Sequence, residues 1–158
     1  MTKQASFTIE PEPIDSPEAQ LALGRYIEEL NGRFPGGFDT SRAAPPAKDD
    51  FTPPAGDFLV VRAEGRVLGC GAVRTEPGGI AEIRRMWIAP ELRGRGAGRA
   101  LLAALEERAR RFGCSLIRLD TAAELHEARA LYDSAGYREI PAYNDNQYAR
   151  HWFEKSVR

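Results

Sequence analysis

Glu82-Ile83-Arg84-Arg85-Met86-Trp87-Ile88-Ala89-Pro90 leads, two residues later, into Arg93-Gly94-Arg95-Gly96-Ala97-Gly98-Arg99. The join between these two pieces decides the fold. The first piece belongs to a strand, 80–88, that opens after the turn Pro77-Gly78-Gly79 and stops before Pro90. Its alternation puts Ile80, Glu82, Arg84, Met86 and Ile88 on one side and Ala81, Ile83, Arg85 and Trp87 on the other. Both sides mix polar and apolar residues, which suits a central strand with a functional face. The second piece starts a helix over 98–112, whose apolar face is Leu101, Leu102, Leu105, Ala109 and Phe112 and whose end is marked by Gly113.

The turn between them is unusual in charge. From Arg84 to Arg99 there are five arginines and a single acid, Glu91. Glycines allow backbone N–H groups to approach a ligand, and a helix N-terminus adds partial positive charge. Arginines supply full charge for phosphate oxygens. Together they predict an anion site suited to a pyrophosphate. The plainer alternative is a solvated turn whose glycines only permit a tight connection.

Outward from this centre, 58–63 and 67–73 read as strands joined by a hairpin at Glu64-Gly65. Residues 7–10 read as a first strand stopped by Pro11 and Pro13. Ser16-Pro17 then starts a helix bearing Ala19, Leu23, Ile27 and Leu30 on one face. Residues 32–56, with Gly36-Gly37, Pro45-Pro46 and Pro53-Pro54, read as a long surface loop with one helical turn. After the arginine-rich helix come a strand at 116–119, a helical face of Leu125, Ala128, Leu131, Tyr132 and Ala135, and closing strands at 137–140 and 149–156. Hairpins pair antiparallel and strands joined through a helix do not, so the sheet is mixed.

The 158 residues, 42% hydrophobic and 28% charged with a net charge of −1, suit one folded domain over 1–158 and exclude general disorder. The same balance argues against a nucleic-acid partner. No run approaches the length of a membrane span and the start, Met1 to Ser6, has no apolar leader core, so a cytoplasmic protein with no membrane partner is expected. Cys70, Cys114, His126 and His151 show no metal spacing, so no metal is expected, and no histidine is identifiable as the partner of a nucleophilic cysteine.

Among phosphate ligands, a P-loop is absent because no Gly-Lys is followed by Ser or Thr. A dinucleotide fingerprint counted from Gly94 meets Gly96 but then Arg99 in place of the last glycine. Asp120 lies at a distance that suits a ribose contact, which keeps a nucleotide-cofactor enzyme as a minority reading.

The run 82–98 resembles the central motif of the GNAT family of N-acetyltransferases, Arg or Gln, two residues, Gly, one residue, Gly or Ala, matched here by Arg93, Gly96 and Gly98. The run Ala128-Arg129-Ala130-Leu131-Tyr132-Asp133-Ser134-Ala135-Gly136-Tyr137 resembles that family's second motif, and the element order agrees from Phe7 to Val157. The resemblance implies an acyl-CoA N-acyltransferase-like α/β fold: a mixed, mostly antiparallel central sheet of six to seven strands with helices on both faces. It implies acetyl-CoA as co-substrate, with the backbone of Met86, Trp87 and Ile88 pairing with the pantetheine arm and the amides of Arg93, Gly94, Arg95, Gly96, Ala97, Gly98 and Arg99 holding the pyrophosphate. The cleft would open between the strand ending at Ile88 and the one starting at Leu116.

Acetyl transfer to an amine needs a base, a polarised carbonyl and a proton for the leaving thiolate. The resemblance implies Glu82 as base, sharing a face with Met86, although a salt bridge to Arg84 is the plainer role. Amides near Trp87 or Ile88 would polarise the carbonyl. Tyr132 matches the tyrosine that protonates the thiolate in many members, and a core aromatic is its plainer role. One departure is Leu125, which stands where the family often has Asn; His126 or Glu127 are the neighbours able to supply that contact. The loop with Phe34, Gly36, Gly37, Phe38 and Asp39 and the turn with Tyr143, Asn144, Asp145 and Asn146 would flank the acceptor side, with Phe34 and Tyr143 as weak substrate candidates. Their acids and asparagines favour a cationic or polyhydroxylated acceptor, a small-molecule or peptide amine, and a homodimer stays open. The rival reading from another class is a non-catalytic acyl-CoA-binding sensor or partner-binding module on the same fold.

Overall fold

The computed structural model describes residues 6–39 and 48–157. The readings that fall on the first five residues and on Pro45-Pro46 lie outside these. Seven strands, β1 (Thr8–Pro11), β2 (Gly56–Ala63), β3 (Arg66–Glu76), β4 (Ile80–Ile88), β5 (Leu116–Thr121), β6 (Arg138–Ile140) and β7 (His151–Ser156), form one sheet in the order β1-β2-β3-β4-β5-β7-β6. Among the described residues only β4 and β5 pair in parallel, and every other pair is antiparallel. The helices are α1 (Pro17–Arg33), α2 (Ala97–Arg111) and α3 (His126–Ser134). The expected mixed, mostly antiparallel α/β sheet with helices on both faces is therefore the observed one.

Local chemistry sets the boundaries. Ser16 Oγ accepts from the Ala19 amide at 3.1 Å and Pro17 occupies the first turn, so α1 begins where expected. At the β2–β3 hairpin Glu64 and Gly65 both have positive φ (54° and 72°), the requirement of a type I′ turn. The single helical turn expected between α1 and β2 is a 3₁₀ turn at Lys48–Phe51.

The core lies on both sides of the sheet, where Phe58, Val60, Val73, Leu101, Leu105 and Ile117 are fully buried. Gly71 lets α2 approach β3: a Cβ there would sit 2.8 Å from Leu105 Cδ1. On the opposite face Trp87 packs under α1, with Arg25 over its ring at 5.0 Å. Among the described residues no helix is long and apolar enough to cross a membrane.

One expectation fails in β4. Arg84 pairs with Ala72 and Trp87 with Cys70, so Arg85 and Met86 together oppose the single residue Gly71. Arg85 absorbs the extra residue with φ +56°, the left-handed region that non-glycine residues rarely enter. This bulge reverses the phase of the strand. Glu82 and Arg84 now share a face with Trp87, and Met86 lies with Ile88 on the other, so Glu82 and Met86 do not share a face as the alternation predicts.

Candidate active site

Two features of β4 make the site. Its parallel pairing with β5 covers only Ile80, Ala81 and Glu82, opposite Leu116, Ile117 and Arg118. Beyond Glu82 the strands diverge, and from Ile83 to Ile88 β4 has, among the described residues, a strand neighbour only on the β3 side. The divergence opens two cavities that meet end to end.

The first, of about 330 Å³, runs along the end of β4 to the glycine turn. Met86, Trp87, Ile88, Arg93, Gly94, Gly96, Ala97 and Gly98 all line it. Gly94 and Gly96 have φ +79° and +81°, and a Cβ at either would point into open space. Gly96 is the N-cap of α2; it offers no side-chain cap, and the first turn carries no acid. The N-terminal amides of α2, which have no intrahelical acceptors, therefore face an open concavity with no acid of their own turn beside them, and the two acids that line it, Glu29 and Glu127, are each paired with an arginine. That arrangement fits a pyrophosphate. Arg95 and Arg99 stand exposed on the turn outside this lining, and Arg99 Nη2 donates to Ser134 Oγ at 2.6 Å. Arg93 is engaged differently from a phosphate ligand: its Nη2 donates to both oxygens of Glu29 at 2.6 and 2.7 Å and its Nε to the Ile88 carbonyl at 3.0 Å. Glu29 also reaches Arg33 at 3.7 Å, and Arg33 donates to Glu127 at 2.7 Å. This charged chain runs from α1 to α3, and the Arg33 guanidinium holds the Glu127 carboxyl down at about 2.

The second cavity, of about 410 Å³, lies on the β5 side. Phe34, Phe38 and Tyr148 form an aromatic wall, with Phe34 stacked on Tyr148 at 5.2 Å between centroids. Arg84, Arg85 and Asp120 supply its charges. Asp120 accepts from Asn144 Nδ2 at 2.7 Å and from Asn146 Nδ2 at 3.0 Å, which ties the 141–149 loop to β5. Burial raises the Asp120 carboxyl above the usual carboxylate range, against the lowering effect of the asparagine amides.

The two cavities share one wall, made by Tyr26, Leu30, Met86, Leu125, Ala128 and Tyr132. The Tyr132 ring is 5% exposed and rests 5.8 Å from Tyr137 and 5.9 Å from Phe153, centroid to centroid. Burial raises its hydroxyl well above the ordinary tyrosine value, so it stays protonated. Among the described residues that hydroxyl has no hydrogen-bond partner.

Glu82 is placed elsewhere. It is 2% exposed and does not line either cavity. One oxygen accepts from Arg84 Nη1 at 3.1 Å and contacts Arg74 Nη2 at 3.2 Å, and the other accepts from the Tyr143 hydroxyl at 2.9 Å. Tyr143 is thus spent on Glu82, whereas Phe34 lines the second cavity. Leu125 lines both cavities, Glu127 is paired with Arg33, and His126 is exposed. Burial pushes the Cys70 thiol up to about 12 and raises that of Cys114, which opposes thiolate chemistry at either. No group of His, Cys, Asp and Glu able to hold a metal occurs among the described residues.

Residue reasoning missed Tyr26, Tyr148 and Arg85 and read Asp120 only as a ribose contact. The motif around Tyr132 gave a signal. The grip of Asn144 and Asn146 on Asp120 has none, because 24 and 26 residues separate the partners.

A sheet opened along a strand, a groove ending on bare helix amides and a second pocket meeting it at a buried tyrosine suit a long, phosphate-bearing ligand that meets a second molecule at that tyrosine. The Acetyltransferase (GNAT) family model matches residues 24–137, and the chain belongs to that family of acetyltransferases. An N-acetyltransferase of Schizosaccharomyces pombe, C1271.07c, is 32% identical over 137 residues, 85% of this chain and 83% of that one. The IAA acetyltransferase of Azospirillum brasilense is 40% identical over 83 residues, and the match spans about half of each chain (52% and 54%). A Klebsiella pneumoniae protein assigned to the acyl-CoA N-acyltransferases superposes with a TM-score of 0.75 and 28% identity over 96% of this chain and 97% of that one. Other solved proteins of this fold hold acetyl-CoA or CoA.

Proposed function

We propose that this chain moves the acetyl group of acetyl-CoA to a primary amine by direct attack of the amine, working as a cytoplasmic enzyme. The observation that carries this reading is the meeting of the two cavities at Met86 and Tyr132. A donor laid along β4 and an acceptor in the aromatic-walled cavity would react at that shared wall, with the geometry fixed in advance.

Acetyl-CoA supplies a thioester carbonyl open to attack. The amides of the 93–99 turn hold its pyrophosphate, and the main chain of Met86, Trp87 and Ile88 aligns its arm as an added strand would be aligned. Amides at Trp87 or Ile88 polarise the carbonyl oxygen as it gains charge. Tyr132, kept protonated by burial, gives its proton to the departing thiolate. For the base we assign Asp120, which lines the acceptor cavity and whose raised carboxyl is better matched to an ammonium proton than an ordinary carboxylate is. Glu82, expected as the base, is assigned a positioning role: both its oxygens are occupied, and it fixes Arg84 and Tyr143.

Calorimetry with acetyl-CoA followed by a thiol-release assay over a panel of amines tests the reading. Saturable acetyl-CoA binding and amine-dependent thiol release are expected. Binding without release for any amine would favour the sensor module, and binding of NAD without binding of acetyl-CoA would favour a nucleotide enzyme.

A further inference from the structure

We infer that the acceptor is a small amine that carries a carboxylate beside an apolar or aromatic side group, as a free hydrophobic amino acid does, and that Arg85 receives the carboxylate. The inference rests on the acetyltransferase reading and adds the class of its acceptor.

Three observations support it. The first is the state of Arg85. It lines the acceptor cavity, half-buried, yet among the described residues its guanidinium makes no hydrogen bond and meets no carboxylate. Its neighbour Arg84 is committed to Glu82. A partly buried guanidinium without a counter-charge is costly. Burial accordingly lowers its pKa. An arriving carboxylate would relieve that cost through a two-pronged, charge-assisted contact.

The second is how Arg85 comes to face the cavity. Ile83, Arg84, Arg85 and Met86 are consecutive and all line it, which strict alternation of a strand forbids. The bulge, with Arg85 at φ +56°, makes this possible at the expense of backbone strain. Strain of this kind persists where the surroundings enforce it, and it gathers at functional sites.

The third is the balance of the remaining wall. Among the described residues Asp120 is the lone acid of the cavity against two arginines, and its asparagine clamps hold it in place to meet one ammonium group. Asn144 and Asn146 are spent on that clamp and neither Asp39 nor Asp145 lines the cavity, so the cationic or polyhydroxylated acceptor suggested by the loop composition would find a single acid there. Phe34, Phe38 and Tyr148 offer instead a flat apolar surface for a side group.

The test uses the intact chain with acetyl-CoA and compares L-phenylalanine, L-tyrosine and L-leucine with L-phenylalaninamide, phenethylamine, spermidine and kanamycin by thiol release. The free amino acids should exceed the amide and the bare amine by about 10- to 100-fold in kcat/KM, the span of one charge-assisted contact. Arg85→Gln should erase that preference by raising KM for the amino acids, and Arg85→Lys should restore part of it. A melting curve with acetyl-CoA reports whether each variant is folded. Calorimetry with N-acetyl-L-phenylalanine in the presence of CoA reads the site without turnover: binding is expected, and N-acetylphenethylamine should bind at least about tenfold more weakly. Equal or better use of amines that lack a carboxylate, or failure of N-acetyl-L-phenylalanine to bind while acetyl-CoA binds, overturns the acceptor class alone. Absence of acetyl-CoA binding overturns the acetyltransferase reading beneath it.

Discussion

Replacing Tyr132 by phenylalanine separates a proton donor from a packing residue. The ring meets Tyr137 and Phe153 at 5.8 and 5.9 Å, and phenylalanine keeps both contacts. The hydroxyl, by contrast, is bonded to no described residue. Losing an unpaired, largely buried hydroxyl costs no internal hydrogen bond, so unfolding free energy should stay within about 0.5 kcal/mol of wild type or rise slightly. Catalysis responds in the opposite sense. A general acid contributes on the order of 100-fold or more, about 2.7 kcal/mol of barrier, so kcat should fall by at least that factor. The acetyl-CoA dissociation constant, read by calorimetry, should remain where it was, because the proposed complex has pyrophosphate and arm held elsewhere. Steady-state thiol release and a urea melt complete the set. An acyl donor with a more acidic leaving thiol should recover most of the lost rate, since such a thiolate departs without a proton. Unchanged kcat with a clear loss of stability would refute the argument and return Tyr132 to the core.

Gly96→Asp places a carboxylate beside the proposed pyrophosphate site; at roughly 6 Å and an effective dielectric of about 20–40 the repulsion is about 1.4–2.8 kcal/mol. Acetyl-CoA affinity should therefore drop by about 10- to 100-fold in calorimetry, while the fold tolerates the change because Asp enters positive φ more readily than most residues and open space lies above. Asp120→Asn should cost on the order of 100-fold in kcat. Because burial raises the wild-type carboxyl, its base form accumulates only as pH climbs through that raised range; the wild-type rate should rise there, and the variant's pH–rate profile should be flat. Glu82→Gln should act on acceptor KM more than on kcat, and an equal loss of kcat in both variants would return the base role to Glu82. Leu105→Ala, at a fully buried site against Gly71, should cost about 2–5 kcal/mol in a denaturant titration and leave the acetyl-CoA contacts in the folded fraction unaltered.

Much of this architecture is local chemistry and can be read from residues. Ser16-Pro17, Glu64-Gly65 and the stretch from Pro77 to Gly98 each announce a cap, a turn or a strand-to-helix join by residue types alone, and the structure places them there. The phase of β4 cannot be read this way. A positive φ at an arginine has no compositional mark, since the residues that normally signal it are glycine and asparagine, and one extra residue in the strand carries Met86 to the opposite face from the one alternation gives. Glu82 and Tyr143 illustrate the second limit. Both were legible as polar residues near a cleft, but that they would bond each other at 2.9 Å depends on a loop folding back across β5. Asp120 and Arg85 belong to the same class, with surroundings assembled from distant segments.

The short pairing between β4 and β5 bears on how the protein survives without its ligand. From Ile83 onward one margin of β4 has no strand partner among the described residues, only the Ile88 carbonyl being covered by Arg93 Nε, and a margin of this kind recruits other strands when left open. A pantetheine arm seated there would blunt it as a neighbouring strand does. Ligand occupancy would then add stability that grows with the logarithm of ligand concentration.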